Sequence, residues 1–181
     1  MKYLIVSDIH GSAYYAKKVM HAFHSHQCDY ILLLGDILYH GPRNPLPKEY
    51  DPKTVIALLN EVKDKIIACR GNCDSEVDQM VLDFTIQNTT QVVIEEDYRI
   101  FLTHGHIYHP EYLPQGISAN DIFLFGHIHI PIMETKNNIH IINPGSIALP
   151  KENNPHTFGI LENNTFTLID DEDFVIKNYN F

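Results

Sequence analysis

The chain has 181 residues with 23 acidic against 13 basic side chains, a formal charge of −10, and 12 histidines. One domain of that length (1–181) buries a core without disulfides, and 44% hydrophobic with 20% charged residues excludes a disordered or membrane-embedded chain. The acidic balance also excludes an extended nucleic-acid track, which needs clustered lysine and arginine, while the histidine enrichment directs attention to metal binding.

The opening apolar run, residues 3–6, is cut by Ser7 and Asp8, too soon for a secretory signal. No stretch approaches the roughly 18 apolar residues of a membrane span. Cys28, Cys69 and Cys73 are odd in number and contain no CxxC pair, so a reducing, cytoplasmic compartment is expected and a disulfide framework is not.

Residues 2–7 read as a buried strand ending in the polar turn Asp8-Ile9-His10-Gly11. Ser12 is placed to cap a helix reaching about residue 27, with Tyr15, Val19, Ala22 and Phe23 at helical spacing. Residues 30–34 are a second buried strand, so the first two strands should be parallel. The loop 35–52 holds Pro42, Pro45, Pro47 and Pro52 and is long for a compact domain. Val55, Leu58, Leu59 and Val62 then mark a second helix, and residues 65–69 a third strand. Beyond residue 90 the pattern changes to strand pairs, 91–95 with 99–103, 132–135 with 139–142 around Asn137-Asn138, and 157–161 with 165–169 around Asn163-Asn164. An apolar strand at 121–125 stands between them, and the acids at 170–173 read as a solvated turn. The expected fold is α/β, two packed mixed β-sheets flanked by helices.

Strand ends carry the chemistry. Asp8-x-His10, Gly35-Asp36, Gly71-Asn72, Thr103-His104-Gly105-His106 and Gly126-His127-Ile128-His129 each follow a predicted strand, and in α/β sheets such ends converge on one crevice. In extended backbone, positions i and i+2 point the same way, which would aim Asp8 with His10, and His127 with His129, at one centre. Carboxylate, amide and imidazole donors together suit manganese, iron, zinc or nickel better than calcium. Seven such ligands exceed the needs of one ion and match a two-metal site. The competing assignment for Asp8 and Asp36 is helix capping. His21, His24 and His26 lie on the first helix, where i and i+2 do not share a face, and are read as surface.

In order and spacing these motifs resemble the calcineurin-like metallophosphoesterase superfamily across nearly the whole chain. Gly41-Pro42-Arg43-Asn44, Arg70-Gly71-Asn72-Cys73-Asp74 and Asn143-Pro144-Gly145-Ser146 are similar to segments of its small bacterial YfcE-type phosphodiesterases. The resemblance implies the superfamily's four-layer sandwich and a dinuclear centre. Asp8, His10, Asp36 and His129 would hold one ion and Asp36, Asn72, His104 and His127 the other. Manganese is the first expectation. It also implies hydrolysis of a small phosphodiester by a metal-bridging hydroxide, with a phosphomonoesterase using the same ligands, or a scaffold like vacuolar sorting protein 29, as alternatives. A homo-oligomer is compatible with the resemblance.

One position departs from the pattern. Cys73 stands where many superfamily members carry a histidine in the Gly-Asn-His-Asp motif, so the catalytic group Asn72, Cys73 and Asp74 lacks its usual proton donor. Cys73 either donates a proton poorly or fills space, and His106 is the replacement candidate. Arg43 and Asn44 are placed to meet a phosphate or base, Arg43 alternatively pairing with an acid, and Arg70 would lie behind the metals.

Overall fold

The computed structural model describes residues 1–181. Three strands, β1 (Tyr3–Val6), β2 (Tyr30–Leu33) and β3 (Ile66–Ala68), run parallel, with Tyr3 opposite Tyr30 and Ile31 opposite Ile66. Their sequences show no polar alternation because both faces are buried. Leu4, Val6, Ile31 and Leu33 pack on one side with the helices, whereas Tyr3, Ile5, Leu32 and Leu34 face a second sheet.

Helix α1 (Ala13–Ser25) begins as expected at Ser12, whose hydroxyl accepts a hydrogen bond from the Tyr15 N–H at 3.3 Å. It turns Ala16, Val19, Met20 and Phe23 onto the first sheet, each large side chain contributing about 1.5–3 kcal/mol by burial. Helix α2 (Pro52–Asn60) takes the last residue of the expected loop. Asp51 caps it and Pro52 is its first residue, a position where the missing N–H breaks no helical bond. Val62 falls beyond its end, before a 3₁₀ turn at Lys63–Lys65. Helix α3 (Glu76–Val81) is not anticipated by apolar periodicity, since it buries none of its residues. A reciprocal capping box between Ser75 and Asp78 starts it.

The second sheet comprises β4 (Thr90–Ile94), β5 (Arg99–Thr103), β6 (Ile122–Leu124), β7 (Pro131–Lys136) and β8 (Ile139–Pro144) in the order β4-β5-β6-β8-β7, with β5, β6 and β8 parallel. Strands β9 (Thr157–Glu162), β10 (Thr165–Asp170) and β11 (Val175–Asn180) return to the first sheet, ordered β11-β10-β9-β1-β2-β3. Asn137-Asn138 and Asn163-Asn164 adopt positive φ at both positions, as two-residue hairpins require. Strand β11 is a further unexpected element, an exposed edge with little apolar signal. The acids before it are tied to α1: Lys18 Nζ lies 3.1 Å from Asp171 and 2.6 Å from Glu172, and His26 Nε2 lies 2.6 Å from Asp173.

The two sheets pack through Ile5, Leu32, Ile100, Leu102, Ile122 and Leu124. The outer face of the second sheet, Phe101, Phe123 and Ile141, is covered by Tyr108, Leu113 and Ile117 from the connection between β5 and β6, which contains no helix. Loops leaving the carboxyl ends of β1, β2, β3, β5 and β6 meet at one edge of this sandwich. No helix is long and apolar enough to cross a membrane.

Candidate metal centre

Asp8 and His10 leave β1, Asp36 leaves β2, Asn72 leaves β3, His104 leaves β5, and His127 and His129 leave β6. The turns are tight enough to need special residues. A Cβ on Gly71 would collide with Asp36, and one on Gly126 with the Ser7 hydroxyl. The i, i+2 pairs are not in extended backbone. Asp8, His10, Asp36, His127 and His129 all have positive φ, between 50° and 68°. These are sparsely populated conformations for non-glycine residues, and five of the seven candidate ligands adopt them.

The donor atoms converge nonetheless. His129 Nε2 is 3.2 Å and His10 Nε2 3.6 Å from Asp8 Oδ1, and the two Nε2 atoms are 3.4 Å apart. Asp36 Oδ2 lies 3.7 Å from His10 Nε2 and 3.3 Å from His104 Nε2, which is 3.1 Å from Asn72 Oδ1. Asp8, His10 and His129 therefore form one compact group, and Asp8, Asp36 and His104 a second; His10, Asp36 and Cys73 also meet. His127 joins none of these groups. Its ring stands 5.1 Å from that of His104, and it lines the same cavity as Asp36, Asn72 and His129.

Three imidazoles are oriented from behind. His10, His104 and His129 each place Nδ1 on a backbone carbonyl, of Tyr39, Leu34 and Leu149 respectively. A carbonyl only accepts, so each Nδ1 carries the proton and each Nε2 turns inward. There His104 Nε2 meets only acceptors, Asn72 Oδ1 and Asp36 Oδ2, and Asp8 Oδ1 is fully buried with no hydrogen-bond donor. A cluster of acceptors facing acceptors is stable only around positive charge, whether protons or cations. The residues present thus fit divalent metal.

The electrostatics agree. Burial works to raise the Asp8 carboxyl, but the facing His10 and His129 imidazoles hold it well below the usual carboxylate range. Asp36 is likewise lowered, burial being overcome by His104. Burial opposes the charge on His104, yet Asp36 pushes its pKa up to about 9. His127 moves the other way, down to about 4, through burial and then repulsion from His104.

Supporting contacts fix the carboxylates. Asp8 Oδ2 accepts from the Ser7 hydroxyl at 2.6 Å and from the His127 N–H at 3.2 Å. Asp36 Oδ1 accepts from the Cys73 N–H at 2.8 Å. Asn143 Nδ2 donates to the Gly126 carbonyl and Ser146 Oγ to the Asp8 carbonyl, so the 143–146 turn braces both metal-facing loops.

Asp74, Arg70, His106 and Cys73 take the following places around the centre. Asp74 does not line the cavity. Its carboxylate accepts from the backbone N–H groups of Asp36, Ile37 and Gly71 at 2.7–2.9 Å, making it a positioning residue. Arg70 also stays outside the cavity, held by Glu76 at 3.0 Å and the Asp74 carbonyl at 3.2 Å. His106 stands beside His104, ring centres 5.4 Å apart, without lining the cavity; burial and then His104 lower its pKa. Cys73 is half-buried in the cavity wall, with its thiol pushed up to about 12 by burial and the Asp36 carboxylate. Arg43 and Asn44 do line this cavity of about 520 Å³. So does Lys151, which no sequence signal singles out, being an isolated lysine in a loop.

Residues 1–165 match the calcineurin-like phosphoesterase superfamily domain. Phosphodiesterase YfcE of Escherichia coli strain K12 is 47% identical over 169 residues, 93% of this chain and 91% of that protein. A solved structure of Yfce, a phosphoesterase from E. coli, superposes with a TM-score of 0.96 at 44% identity, covering 99% of this chain and 98% of that one. Vacuolar protein sorting 29 from Cryptosporidium parvum shares the fold, with a TM-score of 0.68 at 18% identity over 99% of this chain and 98% of that one. A match over so much of the length leaves no other assignment: the chain belongs to the calcineurin-like phosphoesterase superfamily.

Proposed function

We propose that the chain, as one domain spanning 1–181, is a metal-dependent phosphodiesterase acting on a small phosphodiester. Asp8, His10, Asp36 and His129 would hold one divalent cation, and Asp36, Asn72, His104 and His127 a second. The observation that carries this reading is the convergence of inward Nε2 atoms and carboxylate oxygens with no donor among them. The activity named for the relative at 47% identity supports the same reading. Two divalent cations supply Lewis-acid chemistry, acidifying water and neutralising charge on the phosphoryl group.

The chain's own residues divide the remaining work. Asp36 would serve both ligand sets, a role supported by Oδ2 facing His10 and His104 while Oδ1 accepts from the Cys73 N–H. The backbone carbonyls behind His10, His104 and His129 fix the tautomers in which Nε2 presents its lone pair to a cation. Arg43 and Asn44 bind the ester's phosphate or its substituent. Cys73 faces the centre beside His10 and Asp36, and in the metal-free chain burial and the Asp36 carboxylate push its thiol up to about 12.

Manganese is the first ion to test, and the same donors accept zinc, iron or nickel. Three free cysteines accord with a cytoplasmic location. The test is hydrolysis of matched aryl phosphodiesters and monoesters before and after chelation and manganese return. The expected result is diester hydrolysis, lost with chelator and restored by the metal. Preference for the monoester would replace this reading with a phosphomonoesterase, and failure to take up any metal would leave a non-catalytic scaffold.

A further inference from the structure

The acidic chain has thirteen lysines and arginines, and nine of them are engaged. Seven form ion pairs: Lys2, Lys17, Lys18, Lys63, Arg70, Arg99 and Lys136. Two more lie over tyrosine rings, Lys48 at 3.5 Å from the Tyr14 centroid and Lys65 at 5.2 Å from that of Tyr30. That leaves Arg43, Lys53, Lys151 and Lys177, and two of these four, Arg43 and Lys151, line the candidate active-site cavity.

Both are exposed at the tip and anchored at the base. The Lys151 N–H donates to the His129 carbonyl at 3.1 Å, and its own carbonyl accepts from Asn154 Nδ2 at 2.8 Å. Arg43 follows Gly41, whose close approach to Cys73 sets the loop, and Asn44 Nδ2 locks that loop onto the His40 carbonyl at 2.8 Å. Two cations from separate loops thus reach one space in which Asp36, already committed to the centre, is the only acid. Pro42 and Ile128 are the only apolar residues lining it, and no phenylalanine, tyrosine or tryptophan offers a stacking platform for a base.

We infer that Arg43 and Lys151 form a subsite for a second anionic group, so the favoured substrate is a phosphodiester bearing a phosphate or carboxylate on one of its two substituents. A phosphodiester has one negative charge, which the metal centre addresses. Two further unpaired cations would contribute little to an uncharged substituent, whereas an added anion completes an ion pair with each. This inference rests on the phosphodiesterase reading.

The test compares two p-nitrophenyl diesters with the manganese-loaded full chain, one carrying an ethyl group and the other a carboxyethyl or phosphoethyl group. The unmodified protein should favour the anionic ester in kcat/KM, mainly through KM. Arg43→Ala and Lys151→Ala should each reduce that preference about three- to fivefold, the size of an exposed ion pair. Lys151→Arg should retain it and Lys151→Glu should reverse it, which a purely structural role would not do. Lys177→Ala, with the same charge change on β11, should leave the preference intact. Equal kcat/KM for both esters, or no response to Lys151→Glu, overturns the subsite alone. Hydrolysis of neither diester overturns the parent reading and the subsite with it.

Discussion

His104 Nε2 stands 3.3 Å from Asp36 Oδ2 while its Nδ1 is committed to the Leu34 carbonyl, so the two buried side chains share whatever positive charge lies between them. In the metal-free chain that charge is a proton, and Asp36 raises His104 to about 9 against the burial that opposes it. A raised folded pKa stabilises the fold fully below the unfolded value near 6.5 and loses that contribution as pH climbs through about 9. Asp8 and Asp36, both lowered, act at the other end: their contribution is present above about 3.8 and disappears as pH falls. Thermal melting with chelator should therefore show Tm declining between about pH 6.5 and 9.5. Manganese should flatten that decline, because a bound cation replaces the proton. A chelated protein whose Tm is flat across this range would show that His104 and Asp36 are not ion-paired.

Ser7 precedes the first ligand and touches no part of the cavity, yet its hydroxyl donates to Asp8 Oδ2 at 2.6 Å and leaves Oδ1 facing His10 and His129. Ser7→Ala frees the carboxylate to rotate. Loss of such a supporting contact costs about 10–100-fold in metal affinity. Calorimetric titration with manganese should show this weakening while far-ultraviolet circular dichroism stays unchanged. Unaltered affinity would mean that the His127 N–H alone is enough to orient Asp8.

Much of the site was legible because its residues sit beside glycine at strand ends, where convergence follows from topology. What pattern reading could not see was how they converge. Asp8-x-His10 and His127-x-His129 look like extended i, i+2 pairs, but both use left-handed backbone; Asp8 and His10 still share one compact group, whereas His127 stands apart from the group holding His129. Buried strands announced themselves through apolar runs. Helix α3 and strand β11 did not, since neither buries an apolar face, and only the Ser75–Asp78 spacing marks the helix. Adjacency to Asn72 suggests a chemical role for Arg70 and Asp74. Their partners, Glu76 and three backbone N–H groups, are matters of loop folding that adjacency does not reveal.

The cavity wall offers no strong acid to a departing alkoxide. Cys73 holds its proton to about 12, and His106 lies outside the cavity with its pKa lowered by burial and His104. General acids typically contribute about 10²–10⁴-fold, most for poor leaving groups. Across a series of diesters from p-nitrophenyl to simple alkyl leaving groups, kcat should fall by more than about 10³-fold. His106→Ala should leave the slope of that series unchanged. A shallow series would reveal an efficient donor, and a steeper slope in the variant would identify it as His106.

Asp74 shows how a buried carboxylate acts without meeting substrate. Its two oxygens accept three backbone N–H groups, Asp36 and Gly71 on Oδ2 and Ile37 on Oδ1, so it ties the loop after β2 to the loop after β3. Burial raises its pKa, and those N–H bonds work against the rise. Asp74→Asn keeps the shape, but it replaces one acceptor with an NH₂ group that would point at N–H donors. Losing charge-assisted bonds and stranding a buried donor costs about 2–4 kcal/mol, which urea unfolding would register as a lower midpoint with an unchanged m-value. Because the Asp36 N–H is one of the three, manganese affinity should weaken in the same variant. If Asp74 instead acted on substrate, kcat would fall with stability and metal affinity intact, and that result would return it to the catalytic group.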